Sequence, residues 1–150
     1  MVLSTLFWTA LAGVSCAGPP YQPRRIVAPD ASYNVYTAAQ APRELREDEM
    51  RGIAVWYGAR HHGRRTASGE PFDMYRFTAA HKTLPFQSLV RVTRDDTRQS
   101  VVVRITDRGP FSESRVIDLS WAAAYDLGIV ERGTVPVHLE LLRWGAGNEL

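Results

Sequence analysis

Between residues 51 and 143 the chain alternates apolar and polar positions in short runs, each closed by turn-forming residues. A period of two describes a strand with one face on a core. Runs at 53–57, 89–93, 99–105, 115–119 and 135–142 fit it. The last is the clearest, with Val135, Val137, Leu139 and Leu141 on one side. Asp95-Asp96 marks a turn after the second run, so 89–93 and 99–105 are expected to pair antiparallel. Two segments read as helical. Residues 120–127 are alanine-rich, open on the N-cap Ser120 and stop at Gly128. Residues 77–81 form a shorter one that ends before the Leu84-Pro85 break.

Short strands with two small helices predict a mainly β domain closed as a compact barrel over residues 51–143. No repeat occurs at solenoid period, although 84–93 and 128–139 are loosely alike, as in an internal pseudo-repeat. Residues 18–50 read as a flexible linker, with Pro19, Pro20, Pro23, Pro29 and Pro42 and few core formers. The charged run 43–50 is expected to be its solvated end rather than a helical turn. Residues 144–150 are a tail.

Residues 1–17 read as a targeting segment. The apolar stretch 2–14 is too short to span a bilayer but suits a signal peptide, although no basic residue precedes it. Cys16 is the sole cysteine, so no intrachain disulfide forms. It follows Gly13-Val14-Ser15, which resembles a bacterial lipobox with glycine in place of the usual leucine. Lipidation at Cys16 is expected, against the plainer reading of a small residue near a cleavage site. Ala17-Gly18 carries no inner-membrane retention signal, so an exported protein anchored to the outer membrane and facing the periplasm is expected.

The net charge of +2 is too small to argue for nucleic acid, and no basic run or Cys/His module suggests it. Candidate chemistry begins at Ile105-Thr106-Asp107-Arg108-Gly109-Pro110-Phe111, where Asp107 stands at the end of an apolar strand with Arg108 beside it. A second acid, Glu70, lies in a loop between Gly69 and Pro71. Two carboxylates in different environments can divide proton donation and charge stabilisation during glycosidic cleavage. The plainer alternative is a turn-capping Asp107 and a solvated Glu70. His81 is a third candidate, able to bond a carboxylate or a sugar hydroxyl, although a lone histidine is more often structural. His61-His62 has no third ligand at metal spacing, so no metal is expected, and His138 is expected to face solvent. Aromatic rings stack on pyranose faces. Most of those near the acidic loops belong to the core, with Tyr57 and Phe111 as groove candidates. There is no Gly-x-Ser-x-Gly elbow and no phosphate loop.

The blocks 52–58, 62–74, 78–85, 101–111 and 115–124 stand in the order found in the rare lipoprotein A (RlpA) family of bacterial peptidoglycan lytic transglycosylases, which the domain resembles along its whole length. The resemblance implies a six-stranded double-psi β-barrel. It also implies export as a lipoprotein and action, without cofactor and as a monomer, on glycan strands stripped of peptide stems. It places functional residues at Asp107, Glu70 and His81; Tyr57, Phe111 and Arg108 are the substrate contacts expected beside them. The implied reaction is non-hydrolytic cleavage of the MurNAc–GlcNAc β-1,4 bond to a 1,6-anhydro end. Asp107 would protonate the leaving oxygen, and Asp107 or Glu70 would deprotonate the C6 hydroxyl. Glu70 could otherwise stabilise charge at C1, and His81 would orient a carboxylate or the sugar. Departures are Val55 for a usual serine, Gln87 for a common glycine and Thr106 for a common asparagine. No SPOR domain is expected after the barrel, so septal targeting by that route is not expected. The rival readings are a non-catalytic glycan-binding or wall-loosening module, as in expansin-like barrels, and a scaffold that recruits other wall enzymes.

Overall fold

β-Branched residues at alternate positions build most of the fold, because they pack well on a pleated surface. A computed structural model describes residues 45–146. Its strands are β1 (Arg51–Trp56), β2 (Thr78–His81), β3 (Leu89–Arg94), β4 (Ser100–Asp107), β5 (Arg115–Leu119) and β6 (Thr134–Arg143). Two short helices accompany them, α1 (Glu47–Met50) and α2 (Trp121–Asp126), with a 3-10 turn at Ala59–His61. The strands close in the order β1-β5-β2-β4-β3-β6, which leaves no open edge. Pairs β1·β5 and β2·β4 are parallel and the other neighbours antiparallel. Val90, Val92, Val103, Ile105, Ile117, Leu119, Val135 and Val137 fill the interior.

The expected antiparallel pairing of 89–93 with the next strand is present, from Leu89↔Arg104 to Thr93↔Ser100. So is the helix after Ser120, whose hydroxyl accepts the Ala123 N–H at 3.3 Å and donates to the Arg76 carbonyl at 2.6 Å. Segments 84–93 and 128–139 lead into β3 and β6, which lie side by side. A positive-φ residue precedes each strand, Gln87 at 71° and Gly133 at 80°.

Two expectations are corrected. Residues 77–81 are not helical: Thr78–His81 is a strand between β4 and β5, buried at all four positions. A strand covered on both faces loses the alternation that identifies strands, and Ala-Ala then reads as helix. The end of the supposed linker is not a solvated segment either. It forms α1, with Leu45 and Met50 against the core and Glu49 buried. The Glu49 carboxylate accepts the Arg46 backbone N–H at 3.0 Å and the Thr83 hydroxyl at 2.6 Å, which makes its burial tolerable. Cys16, the targeting segment, the linker as far as residue 44 and the tail from residue 147 lie outside the described residues.

Candidate functional site

β2 is the pivot of a groove of about 500 Å3. Ala80 pairs with Asp107 of β4 on one side and with Asp118 of β5 on the other. Residues in register on neighbouring strands present their side chains to the same face. The two aspartates therefore flank a methyl group, two strand spacings or roughly 10 Å apart at Cα. Val55, paired with Asp118, extends the floor.

The two carboxylates differ in surroundings. Asp107 Oδ1 accepts the backbone N–H groups of Ala67 and Arg108, each at 2.9 Å. Asp118 Oδ1 is buried without a hydrogen-bond partner among the described residues, and its nearest cation, Arg115 Nη1, is 3.6 Å away. Burial raises the Asp118 pKa above the ordinary carboxylate range. Arg115 opposes the rise and Asp107 adds to it. The hydroxyl of Tyr57, also in the groove, is a second buried atom without a partner among the described residues. Burial first, then the charges of Asp107 and Asp118, pushes its pKa up, so it stays a proton donor. Its ring packs on Phe72 at 4.5 Å and edge-on to His61 at 5.8 Å. Buried polar atoms are normally bonded, so two unsatisfied ones in a single groove mark where a ligand's polar groups would fit.

Glu70 is placed differently. It does not line the groove. Both its oxygens accept Arg104 nitrogens, at 2.8 and 3.0 Å, and Ser68 adds a hydroxyl bond at 3.3 Å. The Arg104 bonds hold its pKa below the usual carboxylate range. Its carbonyl accepts the Thr66 N–H at 2.8 Å, and Ser68 N–H donates to the Thr106 carbonyl at 3.1 Å. Gly69 makes the loop possible with φ of 88°. Glu70 thus fastens loop 66–70 to β4, and the loop delivers the Ala67 N–H to Asp107. Arg104 Nη1 also donates to Gln87 Oε1 at 2.7 Å. That bond helps offset the left-handed backbone of Gln87, a conformation that favours the glycine expected there.

His81 is only 1% exposed and is not part of the lining. Its Nδ1 accepts the N–H groups of Thr83 and Leu84 at 3.2 and 3.1 Å, so the proton sits on Nε2, which donates to the Glu49 carbonyl at 2.8 Å. Arg108 lines the groove, donates to the Leu84 carbonyl at 2.9 Å and lies 3.8 Å over the Phe86 ring. Phe111 is 92% exposed beyond the Asp-Arg-Gly-Pro turn and outside the lining. His138 is half-buried against Asp95, with Nδ1 at 2.8 Å from the carboxylate. Of the sequence candidates, Asp107, Tyr57 and Arg108 meet in the groove, whereas Glu70 and His81 sit in the bonded framework behind it. Sequence reasoning passed over Asp118, which had a signal as a lone acid inside the apolar strand Arg115–Leu119. It also passed over Arg60 and Arg64 in the groove wall, which look like ordinary loop residues.

The family model described as lytic transglycolase matches residues 49–139. Proteins named endolytic peptidoglycan transglycosylase RlpA are similar. The one from Vibrio cholerae is 45% identical over 130 residues, 84% of this chain and 48% of that protein. The one from Neisseria meningitidis serogroup A is 51% identical over 110 residues, 73% of this chain and 46% of that protein. The one from Pseudomonas aeruginosa is 56% identical over 97 residues, 65% and 28% respectively. The chain thus spans about half the length, or less, of the curated relatives it matches. Among solved structures, the apo expansin of Clavibacter michiganensis is similar in fold, with TM-score 0.51 and 22% identity over 65% of this chain and 52% of that one.

Proposed function

Because the chain belongs to the lytic transglycolase family, the RlpA type of double-psi β-barrel, we propose that it cleaves the β-1,4 bond between MurNAc and GlcNAc in peptide-free glycan strands and leaves a 1,6-anhydro end. The observation that carries this reading is the pair of unlike carboxylates flanking Ala80 in one groove. Asp118, whose raised pKa favours the protonated form, gives its proton to the leaving oxygen as the C1–O bond breaks. Asp107, anchored by two backbone N–H groups, supplies negative charge beside the positive C1. The C6 oxygen then bonds to C1, and its proton returns to Asp118, so the groove is reset without water. Tyr57 Oη donates to the sugar, Arg108 borders the cleft, and the exposed ring of Phe111, which follows the turn that begins at Asp107, is free to stack on a sugar. Glu70 and His81 act as positioning residues, Glu70 through the loop that bonds Asp107 and His81 through α1 and the start of the 83–84 turn.

The substrate places the protein in the cell envelope. Export and an outer-membrane anchor at Cys16 are part of the same proposal, supported by the apolar segment before that cysteine. The test is mass spectrometry of peptide-free strands after incubation with the protein. Release of 1,6-anhydroMurNAc ends, reduced about a hundredfold or more in Asp107→Asn and Asp118→Asn, is the expected result. Strand binding with no new ends would favour the binding module, and ordinary reducing ends would remove the anhydro mechanism.

A further inference from the structure

The groove is far more basic than the chain around it. Across the whole sequence 18 basic residues nearly balance 16 acidic ones. The groove lining holds Arg60, Arg64, Arg65, Arg108 and Arg115 against Asp107 and Asp118 alone. Three of these guanidinium groups have partners within the protein: Arg65 bonds the Gly69 carbonyl at 2.9 Å, Arg108 the Leu84 carbonyl, and Arg115 lies near Asp118. Arg60 and Arg64 are exposed and, among the described residues, their guanidinium groups have no hydrogen bond or ion pair. Elsewhere on the barrel Arg91, Arg94, Arg104 and Arg132 each sit against a carboxylate, and Arg76 and Arg98, exposed like Arg60 and Arg64, lie outside the groove.

The segment that carries this pair is held in place by its backbone. The 3-10 turn Ala59–His61 is followed by an Arg64 N–H bond to the His61 carbonyl at 3.1 Å, and the Arg64 carbonyl accepts the Phe72 N–H at 2.7 Å. Two long cations therefore rise from a fixed base at one side of the cleft. A concave wall of one sign focuses its field on whatever enters. Guanidinium recognises a carboxylate through two parallel N–H bonds, a fit that a neutral amide does not reproduce. In a MurNAc strand the lactyl carboxylate is free when the peptide stem has been removed and is an amide when the stem remains.

We infer that Arg60 and Arg64 are specificity-determining residues that bind the free lactyl carboxylates of the strand, so that the groove itself distinguishes stripped from peptide-bearing glycan. The inference rests on the cleavage reading for its substrate, but it concerns recognition and is separable from turnover. The 150-residue chain is tested on two peptide-free strand preparations, one native and one with its carboxylates converted to methylamides by carbodiimide coupling. Binding is measured by calorimetry on the non-cutting Asp118→Asn chain, and release of ends on the unaltered chain. The native strand should be preferred by about tenfold or more, the size of one charge-assisted hydrogen bond. Arg60→Gln with Arg64→Gln should bring the ratio close to one, whereas Arg91→Gln with Arg132→Gln, an equal loss of charge outside the groove, should preserve it. A ratio near one in the unaltered chain, or one that survives the double substitution, overturns the inference. Preferential binding without anhydro ends would sink the cleavage reading and leave this inference standing. Melting temperatures of the variants, both positions being exposed, verify that the fold is intact.

Discussion

The groove floor and the framework behind it hold the same kinds of side chain in opposite states. In the framework Glu70 meets Arg104 with both oxygens, and His81 uses both ring nitrogens on backbone atoms. On the floor Asp118 Oδ1 and Tyr57 Oη are buried without a hydrogen-bond partner among the described residues. A satisfied network rigidifies and an unsatisfied one costs stability until something completes it. The difference separates Glu70 and His81, which position, from Asp118 and Tyr57, which face the ligand, while Asp107 belongs to the floor and is anchored by two backbone N–H groups.

The sharpest way to break this contrast is Asp118→Asn. Turnover should fall by about a hundredfold to ten-thousandfold, as for loss of an acid–base group, measured by rates of end release. The same variant should be more stable at neutral pH. A raised carboxylate pKa means that the folded state holds its proton more tightly, so stability is full at low pH and declines as pH rises through the folded value. Removing the acid should therefore raise Tm by roughly a few degrees above that range and change little below it. An unchanged or lower Tm at neutral pH would mean that the floor is not strained.

Behind the groove, His81→Ala should cost about 3 kcal/mol in denaturant unfolding, since it strands the buried Glu49 carbonyl and the N–H groups of Thr83 and Leu84. Glu70→Gln should be milder, with turnover down by about tenfold through a looser Ala67–Asp107 contact. Its stability deficit should depend on pH with the opposite sign to Asp118. The pKa of Glu70 is depressed, so its contribution is present above the ordinary carboxylate range and is lost as pH falls through the folded value. Chemical denaturation of Glu70→Gln beside the unaltered protein across the acid range should show the two curves converge at low pH. Smallest of all, Gln87→Gly should change stability by no more than about 1 kcal/mol. Relief of its left-handed backbone is set against the lost Arg104 bond and a freer unfolded chain.

How much of this the sequence disclosed depends on what each residue faces. β6 was legible because one side meets the core and the other does not, and β4 because of its run of β-branched residues, although Val102 and Thr106 on its second face are buried too. β2 was not, because burial on every side erases the alternation. Asp107 was visible because the strand stops at it and a Gly-Pro turn follows. Asp118 was not, because an acid within a five-residue strand resembles an ordinary outward position until Ala80 is seen to pair with it and with Asp107. Glu70 was singled out for its loop, but which groups that loop would bond is a tertiary fact, set by Arg104 across 34 residues of chain.

The most direct test compares initial rates of anhydro-end release for Asp118→Asn and Glu70→Gln on the same peptide-free strands. The account predicts that Asp118→Asn loses about a hundredfold or more of the rate while Glu70→Gln loses only about tenfold. An Asp118→Asn protein that cuts normally, beside a Glu70→Gln protein that does not, would contradict it.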